Sequence, residues 1–170
     1  MRTIKFLSIL SFALLLVSCG NYVNEPLDEV EVEFMFEGPI FDGPNETSVS
    51  ISFNPEANGV ERERIKGLSI TSIELSSSSE DGFDKFQSIA MLLVAEGIDM
   101  KNIAVINPVE KGKSTLVLNV SNEVEFEKVA NLKTLNLVMD ANLRLEEEYT
   151  DDDISITGKV KMAVRAKEKK

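Results

Sequence analysis

Residues 29–170 predict a single all-β domain: an antiparallel β-sandwich, immunoglobulin-like or related, of seven or eight strands with one or two short helices. Three observations carry this expectation. Glu29–Glu37 and Ile154–Ala166 alternate apolar and polar side chains with a period of two, the pattern of a half-buried strand. Further short apolar runs recur between Gly-, Pro-, Asn- and Ser-rich turn signals at the spacing of a sandwich. The chain has 1 cysteine in 170 residues, so no internal disulfide can hold the fold and the strands must bury their own apolar faces.

Gly20–Asp28 has no clear periodicity and reads as a tether, reaching at most about 30 Å when extended. In Glu29–Glu37, Val30, Val32, Phe34 and Phe36 share one face, and Glu29, Glu31, Glu33, Met35 and Glu37 share the other. Gly38-Pro39 and Gly43-Pro44 punctuate a loop. Thr47–Asn54 is a second strand, with Val49, Ile51 and Phe53 inward and Ser48, Ser50 and Ser52 outward. Pro55 and Asn58-Gly59 stop it, and Val60–Lys66 has room for one or two helical turns before Gly67. Thr71, Ile73 and Leu75 share a face in Leu68–Ser76, while Leu68 and Ile70 are out of phase, which predicts a bulge or a late strand start.

Ser76–Asp84 is a polar loop, and Ser76–Ser79 reads as its flexible tip. Phe86–Ala95 fits a helix through Phe83, Phe86, Ile89 or Ala90 and Leu93; its continuous apolar run among neighbouring strands favours a strand. Lys101–Ile106 is a short strand, Glu110–Lys113 a turn, and Ser114–Val120 a strand with Leu116, Leu118 and Val120 inward. Asn122–Ala130 reads as a short helix capped by Ser121 or Asn122. Leu135–Leu145 alternates again, and Asp151–Asp153 occupies the next turn. The last strand is the clearest: Ile154, Ile156, Gly158, Val160, Met162, Val164 and Ala166 face one way, and Lys159, Lys161, Arg165 and Lys167 the other. Opposite charges across a strand pair contribute about 0.2–1 kcal/mol each. Glu29, Glu31 and Glu33 are therefore expected beside the basic face of Lys159–Lys167.

Residues 1–18 are of another kind. Arg2 and Lys5 precede a twelve-residue apolar run, Phe6–Val17, which ends in Leu16-Val17-Ser18-Cys19. A basic start, a short apolar stretch and small residues at the cut make a secretory signal, and the run is too short for the roughly 20 residues of a spanning helix. The sequence LVSC at 16–19 resembles the lipobox of bacterial lipoproteins. The resemblance implies that Cys19 carries a diacylglycerol on its sulfur and becomes the new, usually acylated amino terminus, with palmitate-type chains holding the protein to a membrane. It also implies three segments: a signal peptide over 1–18, a lipidated tether over 19–28, and the domain from 29 onward. Gly20, standing where aspartate retains enteric relatives at the inner membrane, favours the outer membrane and leaves its face open. The alternative is an ordinary secretory signal with an incidental cysteine.

Of the 18 basic residues two lie within residues 1–18, so 16 remain against 29 acidic ones, a net charge of −13. That balance disfavours nucleic acid and anionic headgroups, which need a basic footprint. With no histidine, no tryptophan and no cysteine beyond Cys19, histidine- or thiol-based catalysis and His- or Cys-ligated zinc are excluded. Carboxylate, lysine, tyrosine or metal-assisted chemistry stays open.

Glu146-Glu147-Glu148 and Asp151-Asp152-Asp153 form the densest acidic run. Calcium takes six to eight oxygen ligands, so Asp151, Asp152 and Asp153 are the calcium candidates; the alternative is a solvated acidic hairpin tip. Asn54, Glu56, Asn58 and Gly59 open like a calcium helix–loop–helix motif, yet Ile65 stands where its last glutamate belongs, and they read as turn chemistry. No carboxylate pair stands out for glycoside hydrolysis. Sugar sites also want aromatic platforms, and core packing accounts for most of the 9 phenylalanines beside the 2 tyrosines, Tyr22 and Tyr149.

The expected function is a non-catalytic, lipid-anchored envelope module that binds a protein or glycan partner or serves a larger assembly, with no catalytic residue and no cofactor. Loops Ser76–Asp84 and Gly38–Asn45 are its expected binding surface. The alternatives are a carboxylate- or calcium-dependent glycan-binding or hydrolytic lipoprotein, and a spacer without a ligand.

Overall fold

The alternating segments pair into two antiparallel sheets that pack face to face. The computed structural model describes residues 21–121 and 125–169; Cys19 and the other residues before position 21 lie outside the described residues. In chain order the strands are β1 (Tyr22–Pro26), β2 (Val30–Phe36), β3 (Ile40–Phe41), β4 (Gly43–Ser52), β5 (Ile65–Ser77) and β6 (Phe86–Ala95). They continue with β7 (Ile98–Ile106), β8 (Thr115–Leu118), β9 (Phe126–Glu127), β10 (Thr134–Leu143), β11 (Tyr149–Thr150) and β12 (Ile154–Lys167). Pro55–Asn58, Arg62–Arg64 and Val129–Asn131 form single 3-10 turns.

The long strand β12 organises the first sheet. Its first half pairs with β2 and its second half with β1, so these two lie end to end along one edge. Its other edge pairs with β5, which in turn carries β8 and β9. The second sheet runs β4-β10-β6-β7. Taking the eight main strands in sequence (β2, β4, β5, β6, β7, β8, β10, β12), the sheet orders are first-eighth-third-sixth and second-seventh-fourth-fifth. Apart from the β6–β7 hairpin, each connection crosses between the sheets. This is a jelly-roll order rather than the immunoglobulin arrangement. The β-sandwich stands, and its form is the related one.

The two sheets are linked by hydrogen bonds along both sides of the sandwich. On one side Thr47 Oγ1 donates to the Met35 carbonyl at 2.6 Å. On the other, Ala104 bridges Val120 and the Ser121 N–H donates to the Ile103 carbonyl at 3.0 Å. Among the described residues no polar or charged side chain is buried. The interior is apolar throughout, with Phe34, Phe53, Phe83 and Phe126 among its largest fully buried side chains.

The clear alternations behave as expected. Val32, Phe34 and Phe36 are buried in β2, and Ile156, Val160, Met162, Val164 and Ala166 in β12. Phe86–Ala95 is a strand, with Phe86, Ile89, Met91 and Leu93 buried. A bulge does interrupt β5: Lys161 faces Ser72 and Met162 faces Ile70, so Thr71 is the extra residue. The bulge turns Thr71 outward instead of inward, which lets Leu68 and Ile70 join Ile73 and Leu75 in the core. The charged faces are neighbours too. Lys159 pairs with Glu31 in the ladder, Lys161 Nζ lies 3.5 Å from Glu29, and Glu33 accepts from Ser155 Oγ at 2.6 Å. The Lys161–Glu29 ion pair is exposed, so it specifies register more than it adds stability.

Three expectations are corrected. The segment read as a tether contains β1, with Tyr22 opposite Lys167 and Pro26 opposite Ala163. Its alternation is invisible because four of its five side chains are exposed; ladder bonds, the Glu25–Arg64 pair at 2.5 Å and Arg165 over the Tyr22 ring hold it instead. No helix forms over the described part of Asn122–Ala130, where Phe126–Glu127 adds to β5 and Val129–Asn131 makes one 3-10 turn; residues 122–124 lie outside the described residues. Strand β4 begins at Gly43, not Thr47, because Pro44 sits on an edge strand where its missing N–H costs no ladder bond.

Candidate functional site

Four crossovers meet at the end of the sandwich where β12 begins: residues 37–42, 78–85, 107–114 and 144–153. Three of them contain segments singled out in the sequence, namely Gly38–Asn45, Ser76–Asp84 and the acidic run. Backbone and side-chain bonds tie them to one another. The Phe83 N–H donates to the Lys113 carbonyl at 2.9 Å, and the Gly112 N–H to Asp84 Oδ1 at 2.5 Å. The Arg144 N–H donates to the Lys85 carbonyl at 2.7 Å. Asp42 donates its N–H to the Glu148 carbonyl at 2.9 Å and accepts from the Leu145 N–H at 2.9 Å.

Beneath these loops lies an aromatic stack that bridges the two sheets. Phe36 of β2 meets Phe86 of β6 edge-to-face at 6.2 Å, and Phe86 meets Phe83 at 5.4 Å. Phe83 is fully buried, so the loop that follows the serine run is pinned at its end rather than free. The serines themselves make short local turns: Ser77 Oγ accepts from the Ser79 N–H, and Ser79 Oγ from the Asp81 N–H.

A cleft of about 700 Å³ opens between the 78–85, 107–114 and 144–153 loops. Asp81, Glu146 and Glu147 line it together with Lys85, Lys111 and Arg144, and the Tyr149 ring forms part of its wall. Phe41 lies against Tyr149, with ring centroids 6.2 Å apart and planes tilted by 47°. Both rings are about half exposed, at 52% and 50%. Their carriers, β3 and β11, pair only with each other, Tyr149 opposite Phe41 and Thr150 opposite Ile40. Asn45 fixes the β3 side: its amide donates to the Phe41 and Gly43 carbonyls at 2.8 and 3.0 Å, and its oxygen accepts from the Phe41 N–H at 3.3 Å. Sequence reasoning did not find this pair. The rings are 108 positions apart, and no local pattern signals a two-residue ladder.

The acidic turn does not assemble into a cradle. Asp151, Asp152 and Asp153 are all exposed. Asp153 Oδ1 is taken by the Gly38 N–H at 3.0 Å. Among the described residues no group of three or more acidic side chains is arranged to hold a metal ion. The turn instead docks on Gly38, where a Cβ would lie 2.7 Å from the Asp151 carbonyl oxygen. Gly38→Ala is thus expected to push the 37–42 and 144–153 loops apart at a cost of about 1–3 kcal/mol. A lower thermal midpoint and faster amide exchange across 146–153 would report it; unchanged exchange would contradict it.

The opposite end carries the start of the described chain. Tyr22 pairs with Lys167, the last residue of β12, while the first residue of β12, Ile154, borders the loop end. Strands rise about 3.3 Å per residue. The 14 residues of β12 therefore separate Tyr22 from the cleft by roughly 40 Å.

No family model matches this chain, and no curated protein matches it either. Among solved structures it is similar to an infectious bursal disease virus structure (Gx strain) at 12% identity and a TM-score of 0.45, over 86% of this chain and 33% of that one. This chain thus spans about a third of that longer chain. It is similar to turnip yellow mosaic virus at 11% identity and a TM-score of 0.33, over 89% and 96% of the two chains. A third similarity is to a structure from work on carbohydrate-binding modules of the β-sandwich superfamily, at 8% identity and a TM-score of 0.35, over 83% of this chain and 56% of that one. At such identities the likeness goes no further than packed antiparallel sheets.

Proposed function

We propose that this chain is a non-catalytic binding module of the bacterial cell envelope, held by lipid on Cys19 and presenting its loop cleft away from the bilayer. One observation carries the reading: residue 22 and the cleft lie at opposite ends of β12. A lipid only three positions before Tyr22 would fix the β1 end at the membrane. The cleft would then stand roughly 40 Å out, oriented by the sandwich itself. The segment Tyr22–Pro26 belongs to the sheet, so little free chain remains between lipid and domain and the orientation is stiff. The negative charge of the mature chain opposes adsorption of the domain on anionic headgroups. Outer-membrane residence remains part of the proposal through Gly20.

Cys19→Ala is expected to move the protein from the membrane fraction to the soluble one, because one lipid chain binds marginally and two or more bind stably. Unchanged fractionation would remove the anchor. Capture from its own envelope with detergent-solubilised protein tests the binding half. A stoichiometric partner lost on charge reversal at Arg144 and Lys85 supports the cleft as the binding surface. A partner retained by that variant would exclude it.

A further inference from the structure

We propose that the Phe41–Tyr149 pair and the cleft beside it form a binding site for a neutral glycan; this rests on the binding-module reading and names its ligand. Two large aromatic rings stand half exposed next to each other, while the other described aromatics, Tyr22 excepted, are buried. They are not at loose tips. The β3–β11 ladder and the Asn45 amide hold the backbone that carries both rings. A rigid aromatic surface suits the flat C–H face of a pyranose ring, which is apolar on its faces and polar at its rim.

The cleft supplies the rim chemistry. Asp81, Glu146 and Glu147 can accept from hydroxyls, and Lys85, Lys111 and Arg144 can donate to them. A sugar hydroxyl is both donor and acceptor, so a site presenting both signs satisfies it from either side. A protein hot spot would instead have an apolar centre with a polar rim; this cleft is lined mostly by charged side chains, with Leu145, Tyr149 and Thr150 the exceptions. The sign of the ligand also follows. The mature chain carries a net charge of −13, so uronic, sulfated or phosphorylated glycans are repelled on approach.

The chain lacks tryptophan and has only two tyrosines, so Tyr22→Phe leaves Tyr149 as its sole strong emitter. The experiment titrates the detergent-solubilised, full-length Tyr22→Phe protein with neutral hexasaccharides of glucose, xylose and mannose, and with polygalacturonate as the anionic control. The expected result is a saturable change in tyrosine emission with at least one neutral sugar and none with polygalacturonate. Calorimetry on otherwise unaltered protein should then show that Tyr149→Ala and Phe41→Ala each weaken binding by about tenfold or more, while Tyr149→Phe keeps it. Because both rings are half exposed, thermal midpoints should stay near that of the parent, which separates lost binding from lost folding. Absence of saturation with every neutral sugar, preference for the anionic one, or unweakened binding by both alanine variants would overturn the proposal. Envelope capture with the same variants keeps the two readings apart. A partner lost in Tyr149→Ala without any sugar binding sinks the glycan and leaves the module. Failure of both assays sinks both.

Discussion

Phe34→Ala is expected to destabilise the domain by about 3–5 kcal/mol, toward the upper end of that range. Phe34 is fully buried on the inner face of β2, opposite Ile156 of β12. Its ring runs over Gly158, where even a single added Cβ would lie 3.0 Å from Phe34 Cε2 and 3.0 Å from Val32 Cγ2. The floor beneath the ring is therefore backbone. No side chain stands at 158 to turn into the space that truncation would leave, so the void stays largely open. Domains of this size are stable by only about 5–15 kcal/mol, and the loss translates into roughly 10 °C of thermal midpoint. Urea unfolding of the detergent-solubilised protein is the measurement. The midpoint should fall with the slope unchanged, and Phe34→Leu should recover more than half of the loss. A shift under about 1 kcal/mol would mean that the two sheets collapse around the gap more readily than this packing allows.

Arg62→Ala should be the most damaging change of a charged residue, at about 2–4 kcal/mol. The guanidinium donates to three backbone carbonyls: Phe53 just after β4, Ala130 at 3.2 Å and Leu132. Its remaining nitrogen meets Glu56 at 2.5 Å, and the group lies 5.6 Å from the centre of the Phe53 ring. One planar fork thus fastens the β4–β5 crossover to the turn that precedes β10, at the end opposite the cleft. Its side chain is only 25% exposed, so truncation leaves the three carbonyls poorly placed to find water. Arg62→Lys keeps the charge but presents one ammonium to acceptors that diverge, and it should recover less than half of the loss. Denaturation together with amide exchange at Leu132–Thr134 reads the effect. Full rescue by lysine would show that charge, not the fork, holds this end.

The strands that could be read from the chain share one physical property: one face is buried and the other wet. In Val30–Phe36 and Ile154–Lys167 the pleat imposes a period of two and the core enforces it, so register and face are written in neighbouring residues. The bulge in β5 was legible for the same reason, as a break in phase between Ile70 and Ile73. Tyr22–Pro26 was not legible, because it lies at an edge with its side chains mostly exposed and leaves no hydrophobic trace. The helical reading of Asn122–Ala130 failed where a buried Phe126 and a single turn around Val129 gave a spacing that an amphipathic helix shares. The site was half legible: its loops were named separately as polar or acidic stretches. That they meet, and that Phe41 and Tyr149 lie against each other there, depends on β12 bringing its first residues beside β2 and β5.

By itself the sequence determined the all-β class and the inner face of most strands, and it predicts the lipid anchor at Cys19. These follow from composition and from the short-range period of buried side chains. Only the tertiary structure decided the jelly-roll strand order, the placement of β1 within the sheet, and the meeting of four loops around a cleft with two exposed rings. Strand order is a matter of which distant faces and edges match, and local alternation is the same for every order that buries the same residues.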